Sequence, residues 1–191
     1  MLGELLRMPR LADILEPQTP PSMTIKPLAI MSLLAFLGLT ARAEPLAVGA
    51  PAPDVAGIDQ DGKTVKFKEV YAKGPTLVYF YPKADTPGCT KQGCSLRDSW
   101  TGLQAKGIQV LGVSEDKVEA QKKFHEKYSF PFPLIADNDG KVAEAFGVAT
   151  TAGFAKRQSF LVKDGKVVWN MLKASTETHA ADVLKAYEEL K

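Results

Sequence analysis

Cysteine is scarce in this chain: its 191 residues hold only Cys89 and Cys94. Histidine is equally scarce, with His125 and His179 far apart in sequence. A structural zinc site takes about four such ligands, so no metal centre is expected. Cys-x-x-Cys is absent, which removes the usual dithiol redox motif. Charge of one sign is never massed; Lys and Arg number 24, Asp and Glu 22, and the net charge is +2. Without a basic stripe or an acidic block, nucleic acid is a poor partner. A spanning helix is missing too. The apolar run from Pro27 to Thr40 has fourteen residues, against the roughly 20 that crossing a bilayer requires. No stable membrane anchor is expected.

What is present reads as one globular domain behind a leader. Hydrophobic residues make up 45% and charged residues 24%, a soluble composition with enough chain to bury a core. Residues 1–43 differ from the rest. Met1 to Ser22 ends in "EPQTPPS" and carries Glu4, Asp13 and Glu16, acids that suit no export signal. Met23 with Lys26, the apolar run and Ala41-Arg42-Ala43 do have the form of one. The expectation is therefore a true start at Met23, cleavage after Ala43, and a mature, nearly neutral domain spanning 44–191 in the periplasm or outside the cell. No Cys directly follows the apolar run, so a lipid attachment there is unsupported.

Along that domain, Asp61-Gly62 in "VAGIDQDGKTVKFKEV" signals a hairpin. "TLVYFY" (Thr76–Tyr81) is a buried central strand. Thr86 to about Lys106 reads as one helix, and Ile108–Ser114 as a second buried strand. "EDKVEAQKKFHEKY" is an amphipathic helix with Val118, Phe124 and Tyr128 near one face. Phe132–Asp137 is a third strand, followed by a short helix ending at Gly147. A hairpin turns at Asp164-Gly165, and a last helix places Ala181, Leu184 and Tyr187 or Glu188 at helical spacing. Strands alternating with helices imply an α/β fold: a mixed central sheet flanked by helices. That order matches a thioredoxin-like fold with an N-terminal β-hairpin added.

The segment "YPKADTPGCTKQGCSLRD" (81–98) contains both thiols. Thr86 suits an N-cap and Pro87 the first helical position. Cys89 then lies in the first turn, where unpaired N–H groups and the helix dipole favour a thiolate. The plainer alternative is a small residue chosen for packing. Leu96, Trp100 and Leu103 fall roughly 20 to 40° from the direction of Cys89, so the four share a face. Cys94 points about 140° away, beside Arg97, Asp98 and Thr101, and about 7.5 Å further along the axis. A disulfide needs α-carbons within about 7 Å. The two thiols therefore cannot bond while the helix is intact, and the poor helix formers Gly88 and Gly93 lower the cost of unwinding it.

Other chemistries fit less well. A structural disulfide across so few residues cross-links almost nothing. A copper carrier of Cys-x-x-x-Cys type with a distant His does not match this spacing. His125 and His179 read as solvated surface residues, and Arg157 by itself as a surface charge. What remains is a reactive thiolate with a nearby partner thiol. Such a pair can take a peroxide to a sulfenic acid and then condense. A redox domain without peroxidase activity stays as the rival.

These residues resemble the active-site segment of the peroxiredoxins, in the bacterioferritin comigratory protein or peroxiredoxin Q subfamily. The pattern Pro-x-x-x-Thr-x-x-Cys is met by Pro82, Thr86 and Cys89, and the subfamily's second cysteine by Cys94. "GVSEDKVEAQKKF", "FPLIADNDGKVAEAFGV" and "RQSFLVKDGKV" are similar as well, so the likeness runs from about Gly49 to the C-terminus. It implies Cys89 as peroxidatic nucleophile, Cys94 as resolving thiol, Thr86 as a hydroxyl donor, Pro82 as a shield and Arg157 as the activating cation. Arg97, roughly 12 Å along the axis from Cys89, is the weaker candidate for that last role. The "VATTAGFAK" stretch before Arg157 is shorter than the loop the family often carries, which leaves the substrate mouth open.

The resemblance further implies a monomeric or weakly associating thiol peroxidase for hydrogen peroxide and organic hydroperoxides. It would pass through an intramolecular Cys89–Cys94 disulfide and be recycled by a thioredoxin-like or glutaredoxin-like reductant, with no cofactor and no metal.

Overall fold

A computed structural model describes residues 44–190. The leader, the start at Met23 and the cleavage after Ala43 lie outside the described residues. The elements run β1 (Ala56–Asp59), β2 (Thr64–Lys66), α1 (Phe67–Tyr71), β3 (Thr76–Phe80), α2 (Pro87–Asp98), α3 (Trp100–Ala105) and β4 (Gln109–Ser114). There follow α4 (Val118–Tyr128), β5 (Leu134–Ala136), α5 (Lys141–Ala145), β6 (Thr150–Thr151), β7 (Phe154–Ala155), β8 (Gln158–Lys163), β9 (Lys166–Met171) and α6 (His179–Glu189).

Seven strands form one mixed sheet in the order β2-β1-β5-β4-β3-β8-β9. β3, β4 and β5 run parallel, and β8 lies antiparallel to β3. The buried run at 76–81 does become an interior strand, between β4 and β8, every residue of β3 being buried. Side-chain alternation splits it between two cores. Leu77, Tyr79 and Tyr81 face one side with Val110, Leu161, Cys89, Leu96, Leu103 and Phe124. Val78 and Phe80 face the other with Leu111, Val113, Phe160, Phe67 and Phe146. The sheet is thus covered on both faces, as its continuous hydrophobic strands require. Among the described residues no helix is long and apolar enough to cross a membrane.

Both expected hairpins form, β1–β2 and β8–β9, the latter turning on Asp164 (φ 51°) and Gly165 (φ 72°). Other expectations need correction. The helix expected from Thr86 to Lys106 is two, broken at Ser99 (φ −97°, ψ 10°); serine competes for backbone partners and tolerates such a break. Cys89, Leu96, Trp100 and Leu103 still share one core. In α6 the buried residues are His179, Ala180, Val183 and Ala186, so the inner face falls one residue before the expected one. Periodicity fixes the width of a face, and the neighbouring helix fixes its phase. The "VATTAGFAK" stretch holds the small β6–β7 hairpin, whose turn places Ala152 and Gly153 at positive φ.

Candidate active site

The chain leaves β3 in the sheet's interior and turns through residues 81–86 into α2. That turn is pinned from the opposite side. Asp116 accepts from the Ala84 N–H at 2.7 Å, and Asp85, at φ 56°, holds Lys127 at 2.7 Å and the Tyr128 hydroxyl at 2.9 Å. The Lys127 ammonium keeps the exposed Asp85 carboxyl below its ordinary range. Thr86 occupies the N-cap position in extended backbone, Pro87 follows, and the Thr86 carbonyl accepts from the Thr90 N–H at 2.8 Å.

The side chain of Thr86 makes no cap bond. Its hydroxyl donates to the Lys83 carbonyl at 3.0 Å, so offering that proton to a substrate requires rotation of the side chain. Pro82 stands half-buried at the exit of β3.

Cys89 is only 1% exposed and is reduced, as is Cys94. Nη2 of Arg157 lies 3.3 Å from the Cys89 Sγ. A guanidinium has donors only, so the sulfur accepts. The charge that reads by itself as a surface feature, and that the family resemblance sets beside the nucleophile, is therefore at the thiol. Gly88 makes room for it: a Cβ there would stand 3.3 Å from Nη2 of Arg157. Arg97 is used elsewhere, donating to the Tyr128 carbonyl at 2.9 Å and pairing with Asp98 at 2.8 Å.

Behind the guanidinium runs a buried chain that the sequence reading missed. Nη1 of Arg157 donates to Gln92 Oε1, Gln92 Nε2 stands 3.3 Å from His179 Nδ1, and His179 Nε2 stands 2.8 Å from Ser159 Oγ. Gln92, Ser159 and His179 are each fully buried. His179 is thus not the solvated surface residue expected. It opens α6, which packs on α2, and its ring meets the edge of Tyr79 at 5.7 Å. Burial, aided by the Arg157 charge, lowers its pKa to about 4. Gln92, three residues after Cys89, sits on a neighbouring face of α2, a spacing that could have flagged it. His125 is also less exposed than expected, half-buried with its ring 6.5 Å from Phe130.

Cys94, about 140° around α2 from Cys89, is nonetheless not left to solvent. It is half-buried against the same core as Cys89, and burial raises its pKa, Arg97 only partly opposing. The cause is tertiary: the segment after α4 folds over this side of α2, with the Phe130 ring on Gly93.

Beside Arg157 opens a cleft of about 540 Å³ lined by Lys156, Gln158, Leu172, Lys173 and Ala174. A slightly larger one, about 590 Å³, is lined by Glu115, Asp139 and Glu144 and includes neither Arg157 nor a cysteine, so size does not mark the reactive site. Among the described residues no three His, Cys, Asp or Glu side chains are grouped to hold a metal.

Comparison with known proteins agrees with this geometry. Residues 48–170 match the AhpC/TSA family. The peroxiredoxin Bcp of Escherichia coli K12 is 40% identical over 153 residues, covering 76% of this chain and 97% of that protein. The chloroplastic peroxiredoxin Q of Oryza sativa subsp. japonica is 35% identical over 146 residues, 74% of this chain and 67% of that one. The crystal structure of peroxidoxin BcpB from Mycobacterium tuberculosis superposes with a TM-score of 0.73 at 32% identity, covering 76% of this chain and 99% of its own. Matched in sequence over a stretch that holds the cysteine helix and Arg157, and in fold over 76% of its length, this chain belongs to the AhpC/TSA family, as a peroxiredoxin of the Bcp/peroxiredoxin Q type.

Proposed function

We propose that Cys89 is the nucleophile of this thiol-dependent peroxidase, Arg157 its activating cation and Cys94 its resolving thiol. The observation that carries the assignment is the 3.3 Å contact from Arg157 Nη2 to Cys89 Sγ at the start of α2. The thiolate attacks the terminal oxygen of ROOH, the O–O bond breaks, and the alkoxide leaves as ROH after taking a proton. Arg157 and the unpaired N–H groups of the first helical turn stabilise charge on the parting oxygens. Thr86, its hydroxyl rotated from Lys83, orients the peroxide, and Pro82 screens the sulfur from water.

Cys89 is then a sulfenic acid, and Cys94 attacks its sulfur to give a disulfide and water. This step requires the start of α2 to unwind. The Thr90-to-Thr86 bond and the exposed Lys91–Glu177 pair at 2.8 Å are what it gives up first. A thioredoxin-like or glutaredoxin-like dithiol returns the pair to its reduced form and becomes a disulfide itself. The substrates of the peroxidase are hydrogen peroxide and small organic hydroperoxides, and the protein works as a monomer.

The decisive experiment treats reduced protein with one equivalent of peroxide and maps the peptides. A Cys89–Cys94 disulfide is expected in wild type and a trapped sulfenic acid at Cys89 in Cys94→Ser. Sustained turnover by Cys89→Ser overturns the assignment.

Lys26, the Pro27–Thr40 run and Ala41-Arg42-Ala43 support export of this domain. An oxidising compartment keeps such a pair as a disulfide unless a dedicated donor reaches it, so a periplasmic reductant belongs to this reading. N-terminal sequencing of the protein from fractionated cells tests it. Glu44 as first residue is expected, and an intact Met1 in the cytosol overturns it.

A further inference from the structure

Gln92 is held at both ends of its amide, and the two ends are not equivalent. Arg157 can only donate, so the end facing it must be Oε1, which accepts from Nη1. Nε2 therefore faces His179 and must donate, at 3.3 Å, to Nδ1. That nitrogen then carries a lone pair, and the ring proton sits on Nε2, directed at Ser159 Oγ 2.8 Å away. A hydroxyl accepts as readily as it donates, so Ser159 fits this direction. Every donor and acceptor along the chain is thus set by the one group that cannot reverse.

The alternative arrangement is accessible to glutamine by a half-turn of its amide. It would set Nε2 against the guanidinium, two donors facing each other at the fully buried Gln92 amide. Arg157 would then be driven from its place at the Cys89 sulfur. The half-turn is opposed at both ends: the guanidinium offers only donors, and with the ring proton on Nε2 a flipped amide would present Oε1 to the lone pair at His179 Nδ1, acceptor against acceptor.

Resting on the reading of Cys89 and Arg157 given above, we propose that His179 is a positioning residue for peroxide reduction. By accepting from Gln92 it fixes the amide so that Arg157 stays seated on the thiolate. It touches neither substrate nor sulfur in this role. Its burial, and the lowering of its pKa to about 4 by that burial and by the Arg157 charge, keep the ring neutral, the only form with a lone pair to offer. The site is braced beside it: Ser95 Oγ accepts from the Ala180 N–H at 3.2 Å, so the first turn of α6 is tied to α2 by a second bond next to the ring's own contact with Gln92.

The test uses the full protein and three readouts. In nitrogen-15 spectra of histidine-labelled reduced protein, His179 is expected to show a bare Nδ1 and a protonated Nε2; a protonated Nδ1 overturns the proposal without any variant. Stopped-flow measurement of Cys89 oxidation by hydrogen peroxide is expected to slow roughly tenfold in His179→Phe, the size of one lost hydrogen bond beside a charge. His179→Asn, which returns an acceptor to the Nδ1 position, is expected to regain most of that loss.

The sharpest arm adds Gln92→Glu to His179→Phe. A carboxylate has acceptors at both oxygens and cannot be turned the wrong way, so the double variant is expected to recover peroxide reactivity. Recovery larger than the effect of Gln92→Glu alone, which carries the same added charge beside Arg157, separates orientation from structural support, and a double variant as slow as His179→Phe overturns the proposal. So does a His179→Phe protein that reacts at the wild-type rate. A wild-type Cys89 inert to peroxide, by contrast, overturns the functional reading itself.

Discussion

A methyl group on Gly93 would stand 2.7 Å from Cζ of Phe130. The ring that makes this contact also stacks on Phe132 at 5.5 Å and meets Phe124 at 4.9 Å, so it has little freedom to withdraw. A glycine that weakens the helix on paper is thus also the floor on which this part of the core rests. The same packing shelters Cys94, its neighbour.

Gly93→Ala sets two effects against each other. Alanine favours the helix by about 1 kcal/mol, while overpacking against a held ring costs about 1–3 kcal/mol. A net loss of about 1 kcal/mol is expected, read as a lower urea midpoint. Disulfide formation should quicken, because the clash exists only while α2 is wound. A raised midpoint would show that Phe130 gives way.

Arg157 serves two partners at once, Gln92 through Nη1 and the Cys89 sulfur through Nη2. A lysine ammonium is a single point and lacks this fork. Arg157→Lys and Arg157→Met are both expected to slow Cys89 oxidation on the order of 10²-fold, measured by stopped flow. Lysine activity near wild type would reduce the requirement to bare charge.

Burial holds the Cys94 pKa above its ordinary value, so the resolving thiol is protonated at neutral pH. Its attack on the sulfenic acid is expected to quicken about tenfold per pH unit between pH 6 and 8 as thiolate accumulates. Quenched mass spectrometry after a pulse of peroxide gives the rate. A flat profile would instead make helix unwinding the slow event.

His179 also links stability to pH. Its pKa is about 4 in the folded protein against 6.5 for the ordinary side chain. Above about 6.5 both states hold it neutral, and its contribution is fully present. As pH falls from there towards 4, the unfolded chain binds a proton that the folded protein refuses, so stability is lost, by about 2 kcal/mol at pH 5. Asp137, raised by burial against the pull of the Val142 and Ala143 N–H groups, opposes this in the lower part of the window. Urea midpoints at pH 7 and 5 should converge for wild type and His179→Phe, and an unchanged gap would contradict the linkage.

Much of the scaffold is legible in local chemistry. Asp164-Gly165 turns where its residue types require, the buried run at 76–81 is an interior strand, and Thr86-Pro87 opens α2 in front of Cys89. The helical arithmetic that put Cys89, Leu96, Trp100 and Leu103 on one face also holds. It does not say what covers Cys94, and it misses the phase of α6, where the question is which neighbour covers a face. His179 was misjudged for the same reason: a lone polar residue at a helix start looks solvated until another helix is laid against it.

The sequence by itself therefore determined the chemical capacity: two thiols kept apart on one helix, the first of them in its opening turn. Those rules act across about four residues of backbone and need nothing else. Tertiary structure decided whether that thiol has a partner. Arg157 reaches Cys89 across 68 residues, and His179 reaches Gln92 across 87. Both distances close only because β8 pairs beside β3 and α6 packs on α2. That burial removes water from the site, and once water is gone each donor must find its acceptor within the protein.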